Sequence, residues 1–188
     1  MNILDLVLDA RDGAAVSEVA RNFGLDERQA RDLFSEIVPP IARGMQNNAH
    51  RKDGMQELAG ALARGTHDRY LDDLSSLSNP ATTEDGDHIL GHVFGSKEVS
   101  RNVAKHAGSR TGIDPELIKK IMPVVAALAM GVLSKQGKSG EAAPGMPSGR
   151  QASTDGGGLG DILTSVLDMD RDGSMLDDLI GMAGKMLR

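Results

Sequence analysis

The residues best suited to chemistry lie in one short run, Asp168-Met169-Asp170-Arg171-Asp172-Gly173-Ser174-Met175-Leu176-Asp177-Asp178. Carboxylates at positions 1, 3 and 5, with glycine at 6, form the first half of a calcium loop. Alternate side chains converge on one hard cation, and the glycine allows the sharp turn. The Ser174 carbonyl falls at position 7. Position 12, where an EF-hand places a bidentate glutamate, is Leu179, and Asp177 would close a shortened loop. Asp168, Asp170, Asp172 and Asp177 are therefore the candidate calcium ligands, and calcium is the one cofactor the sequence suggests. The simpler reading is a solvated turn between two helices, with Asp177 and Asp178 near the positive end of the second. Asp9, Asp12 and Gly13, with Arg11 between, repeat part of the pattern near the N-terminus and point to a structural origin.

Two other constellations carry weaker signals. His88 and His92 are four apart and share a helix face, with Asp85 three residues before His88. A metal site drawn from them lacks the glutamate of a His-Glu-x-x-His motif, since Ile89 follows His88. A partly buried, hydrogen-bonded His92 is the plainer expectation. Ser17–Phe34 fits a helix-turn-helix template, with Ala20, Gly24, Ala30 and Leu33 at packing positions. Its second helix, Asp26-Glu27-Arg28-Gln29-Ala30-Arg31-Asp32, sets three acids against two arginines, a poor surface for DNA. Arg43, His50, Arg51 and Lys52 would supply further phosphate contacts. No nucleophile can be placed beside a base. Gly156-Gly157-Gly158 lacks the strand and lysine of a phosphate loop. The chain reads as non-enzymatic.

The elements that would position these residues are helices throughout. Asn2–Leu8 is a short apolar helix, and Ala14–Phe23 places Val16, Val19, Ala20 and Phe23 on one face before Gly24. Asp26 caps a third helix with Ala30, Leu33, Phe34 and Ile37 on its apolar face, which Pro39-Pro40 should break. Met55, Leu58, Ala59 and Leu62 mark another helix, and Tyr70–Leu77 a short one. Ser78–Thr83 reads as a turn-rich connection. Helices follow over Glu84–Phe94, over Lys97–Ala107 after a Ser96 cap, and over Pro115–Leu133 after Asp114. No window alternates with period two, so no sheet is expected. Residues 136–160 hold Gly, Ser, Pro and Ala with almost no large apolar side chains, the composition of a flexible linker. Residues 161–188 resume helical patterning around the Asp-rich turn, with Ile162, Leu163, Val166 and Leu167 as an apolar stripe.

The chain also carries a diverged internal repeat. Glu18-Val19-Ala20-Arg21-Asn22-Phe23-Gly24 matches Asn102-Val103-Ala104-Lys105-His106-Ala107-Gly108, and Ile37-Val38-Pro39 matches Ile121-Met122-Pro123, both at a spacing of 84 residues. Ile3-Leu4-x-x-Val7-Leu8 resembles Ile89-Leu90-x-x-Val93-Phe94, and Ile162-Leu163-x-x-Val166-Leu167 is a third copy of that opening. The expected fold class is all-α. Two repeat units, about 1–65 and 84–135, pack as one bundle over 1–135, followed by the linker 136–160 and a helical hairpin over 161–188.

Three segments carry a family likeness: Ile89-Leu90-Gly91-His92-Val93-Phe94-Gly95, the run Lys119-Lys120-Ile121-Met122-Pro123, and the tail Leu167-Asp168 through Asp172-Gly173-Ser174 to Asp177-Asp178-Leu179. In this order they resemble the bacterial "domain of unknown function 937" family, related to the YidB group. The resemblance covers nearly the whole chain apart from the linker. It implies an all-α bacterial protein and transfers no catalytic residues.

Composition bounds the rest. The net charge of −6 argues against a nucleic-acid binder. Aromatics are 2% of residues, so the core is built from Leu, Ile, Val, Ala and Met. The chain has no cysteine, which excludes disulfides and thiolate metal sites. MNILDLVLDA has no basic n-region and is not expected to be a signal peptide. Ile121–Leu133 falls short of the roughly 20 apolar residues of a membrane span. The resulting expectation is a cytoplasmic helical interaction or scaffold module. It would engage an unknown protein partner, or self-associate, through the C-terminal helices. Nucleic acid and membrane are not expected partners, and calcium binding at the Asp-rich turn and DNA binding through residues 17–34 are the alternatives.

Overall fold

A computed structural model describes residues 2–49 and 67–139. These form seven α-helices and one 3₁₀ helix, with no strand among the described residues. The helices are α1 (Ile3–Leu8), α2 (Ala14–Phe23), α3 (Glu27–Ala49), α4 (Arg69–Asp72), α5 (Pro80–Phe94), α6 (Lys97–Thr111) and α7 (Pro115–Ser139). The 3₁₀ helix, Leu74–Ser78, joins α4 to α5.

Polar caps fix most of the helix starts. Asn2 and Asp5 form a reciprocal capping box at α1, the Asn2 side chain accepting from the Asp5 amide at 2.9 Å. Asp26 does the same with Gln29 ahead of α3. Asn79 accepts from the Ala81 amide at 3.0 Å, with Pro80 in the first turn. This cap starts α5 four residues before the expected Glu84 and absorbs most of the segment expected to be a turn. Asp114 and Pro115 play the same parts at α7. Gly24 and Gly112 end α2 and α6 in the left-handed conformation, at φ 69° and 74°. Gly112, not Gly108, is thus the stop of α6, which runs one turn beyond the expected Ala107.

The prolines overturn one expectation. Pro39-Pro40 does not break α3, which runs unbroken from Glu27 to Ala49. Two interior prolines forfeit backbone hydrogen bonds at a cost of about 3 kcal/mol each. The apolar face runs straight through them: Ile37, Val38, Ile41, Ala42 and Met45 are all fully buried. Burying large apolar side chains contributes about 1.5–3 kcal/mol apiece, enough to hold the helix in register across the pair.

The core lies around α7. Every residue from Ile121 to Ser134 is buried. The helix packs most extensively against α5, then α6, while α3 contacts α1, α2, α5, α6 and α7. Helix α7 continues to Ser139, past the end of its apolar run. Pro115–Gln136 is long and apolar enough to cross a membrane by length and composition, yet 83% of its most apolar stretch lies buried inside the bundle. The helix expected around Met55–Leu62 and the hairpin 161–188 lie outside the described residues, as does the linker from residue 140 onward.

Candidate functional site

A cleft lies where α5 ends, α6 begins and α7 passes beneath. Gly95 closes α5 in the left-handed conformation, at φ 67°, and turns the chain directly into α6. Ser96 caps α6, its hydroxyl accepting from the Val99 amide at 3.3 Å. The first turn of α6 therefore presents Lys97, and one turn later Arg101, on the same side. Lys119 reaches the cleft from α7. The cleft encloses about 570 Å³ and is floored by Leu90 and Met122. Among the described residues, three cations line it against one carboxylate, Asp87. Lys119 is bridged to Glu116 at 2.6 Å. Lys97 and Arg101 form no ion pair with the described residues. The N-terminal end of α6 adds its own partial positive charge. Chemically this is a basic rim over an apolar floor, suited to an anionic group attached to an apolar body.

A second polar cluster ties α4 to α5. Tyr70 is fully buried, and its hydroxyl donates to the Asp85 carboxylate. Arg69 donates to the Tyr70 oxygen at 2.9 Å and to Asp85 at 3.0 Å, with its guanidinium 4.9 Å from the Tyr70 ring centroid. Burial, helped by the hydrogen bond to Asp85, pushes the phenol above its ordinary pKa, so it stays a donor. The bond to Tyr70 foremost holds Arg69 more firmly protonated. Burial instead lowers the pKa of neighbouring His67, whose Nδ1 is enclosed without a hydrogen-bond partner among the described residues. A phenol held neutral and a carboxylate already committed to two donors make a latch.

The structure separates the residues that spacing had grouped. Asp85 turns to Tyr70 and Arg69, while His88 and His92 are both exposed, so the expected burial of His92 does not occur. Among the described residues no group of three or more His, Cys, Asp or Glu is arranged to hold a metal. Asp168, Asp170, Asp172 and Asp177 lie outside the described residues. Ser17–Phe34 does form a helix, a tight turn and a second helix, with Ala20, Ala30, Leu33 and Phe34 buried. Its outer face exposes Arg28 and Arg31 beside Glu27 and Asp32, and Ser17 donates to Glu27 at 2.7 Å. Of the further phosphate contacts, Arg43 is exposed and His50, Arg51 and Lys52 lie outside the described residues.

Sequence reasoning missed the basic cleft. Lys97 and Arg101 are four apart, a spacing that puts them on one face. Lys119 belongs to another helix, and only the packing of α6 on α7 brings it near. No local spacing pairs Tyr70 with Asp85.

The model of a family of bacterial proteins of unknown function, DUF937, matches residues 5–136. No curated protein and no solved structure matches the chain. The chain belongs to the DUF937 family.

Proposed function

We propose that this DUF937 member is a non-enzymatic helical interaction module that holds an acidic, amphipathic protein segment in the cleft of Lys97, Arg101 and Lys119. The observation that carries the reading is the unneutralised charge of that cleft. Lys97 and Arg101 stand over an apolar floor without an ion-pair partner among the described residues, in a chain whose net charge is −6. Complementary charge steers a partner and sets its register, while apolar contact supplies much of the affinity.

The test is fluorescence anisotropy with a short peptide alternating Asp and Leu. It is titrated onto chain in which Asp168, Asp170, Asp172, Asp177 and Asp178 are changed to Asn, so that no internal acid competes. Binding should weaken about tenfold, a loss of about 1.4 kcal/mol, in Lys97→Glu plus Arg101→Glu. Equal binding to both chains would count against the reading.

The internal repeat belongs to this proposal, and burial favours a second register for it. Gly24 and Gly112, the two left-handed stops, are 88 residues apart, as are the caps Asp26 and Asp114. At that spacing buried positions fall on buried positions: Val16 on Ala104, Val19 on Ala107, Ala20 on Gly108, Leu33 on Ile121 and Ile37 on Val125. The motif spacing of 84 instead sets exposed Gly24 against buried Gly108. The difference is one helical turn. We read α2–α3 and α6–α7 as diverged copies at this spacing: Ala14, the first residue of α2, falls on Asn102, so α6 carries an extra N-terminal turn, Lys97–Arg101, that supplies two of the cleft's cations.

The DNA reading is weakened by the acids beside Arg28 and Arg31. The calcium reading rests on sequence alone and is tested by titration calorimetry with Asp168→Ala plus Asp172→Ala as control.

A further inference from the structure

The basic cleft and the acidic run near the C-terminus have matching chemistry and belong to one chain. The cleft has Leu90 and Met122 below and Lys97, Arg101 and Lys119 around it. Asp168–Asp178 holds five carboxylates and one cation, Arg171, with Met169, Met175 and Leu176 interleaved. An apolar floor under a basic rim suits such a segment, since each charge meets its opposite while the methionine and leucine side chains leave water. We infer that the occupant of the cleft is the chain's own Asp168–Asp178 segment, folded back on the bundle that carries it. The inference rests on the reading of the cleft as a holder of acidic segments, and it names the segment.

Chain length allows the return. Lys119 and Ser139 lie on the same helix, 20 residues apart, which is roughly 30 Å along its axis. Residues 140–167 connect Ser139 to Asp168, and 28 residues extend to roughly 95 Å at most. A tethered segment meets its site at an effective concentration near millimolar, so modest affinity keeps it there. An external acidic partner then binds by displacing it, and the segment sets the threshold for that partner.

The chain has no cysteine, which makes distance measurement direct. Asn102→Cys, on the exposed side of α6 next to Arg101, and Ser174→Cys are introduced into the full chain and spin-labelled. Double electron–electron resonance on dilute protein is expected to show a short, narrow distance population. That population should vanish in Lys97→Glu plus Arg101→Glu. It should also vanish when the five aspartates of Asp168–Asp178 become Asn, a change made outside the described residues. A broad distribution in the starting chain overturns the inference, and so does a short distance that survives both charge changes. A short distance found only in mixtures of singly labelled chains overturns it too, assigning the segment to a second copy. The peptide titration separates the failures. If the Asp/Leu peptide still binds the Asn-substituted chain through Lys97 and Arg101, the cleft reading stands and only its occupant is wrong. If it does not, both fall.

Discussion

The backbone of Gly86 lies directly against the carbonyl of Pro123. A Cβ built at position 86 would sit 1.9 Å from that oxygen. The obstacle is main chain in the most buried helix, so it cannot rotate away. Gly86→Ala should force α5 off α7 and destabilise the protein by about 3 kcal/mol. Gly91 offers a control on the same helix, because no atom of the described residues lies within 4 Å of its built Cβ. Gly91→Ala should be neutral or stabilising by up to about 1 kcal/mol. Urea denaturation of the two variants checks the contrast, and equal losses would contradict the close-approach account.

Tyr70 and Asp85 form the latch between α4 and α5. Tyr70→Phe removes the donor and leaves Asp85 with Arg69 alone, at an expected cost of about 1–2 kcal/mol. The folded-state pKa of Tyr70 lies above 10.0. The stability it contributes is therefore complete below pH 10 and lost as pH rises through the folded value. Stability measured from pH 9 upward should fall more steeply in the wild type than in Tyr70→Phe.

His67 has the opposite sign. Its folded-state pKa lies below 6.5, chiefly because it is buried. The unfolded chain then takes up a proton that the folded one refuses. Its contribution is present above pH 6.5 and is lost as pH falls through the lower folded value. Melting temperatures between pH 7.5 and pH 5 should drop further in the wild type than in His67→Gln. Parallel curves would place His67 in contact with solvent.

The caps that define the second register can be tested in pairs. Asp26 accepts from the Gln29 amide and Asp114 from the Glu116 amide. Asp26→Ala and Asp114→Ala should each lose about 1 kcal/mol, and the two should add, since they cap different helices.

Helix class and the polar caps were legible because they are local: Asp26, Ser96 and the Asp114-Pro115 pair announce themselves within four residues. Pro39-Pro40 misled because helix breaking is a local cost, whereas the burial that overrides it comes from α1, α5, α6 and α7, all distant in sequence. Gly108 misled in a similar way. It looks like a helix stop, yet a Cβ there would meet the Ile113 carbonyl at 2.9 Å, so its glycine serves packing. The basic cleft was half visible in the spacing of Lys97 and Arg101. Lys119 joins them only through tertiary structure, and histidines sharing a face with Asp85 drew attention away from its actual partner, Tyr70.

A charge exchange at the cleft shows directly whether Lys97 and Arg101 hold an acidic segment. The Asp/Leu peptide and a Lys/Leu counterpart are each titrated onto the Asn-substituted chain, with and without Lys97→Glu plus Arg101→Glu. The acidic peptide should bind the original cleft about tenfold more tightly than the reversed one, and the basic peptide should invert the order. If the acidic peptide binds both chains alike, Lys97 and Arg101 hold no acidic segment and the proposed role of the cleft is wrong.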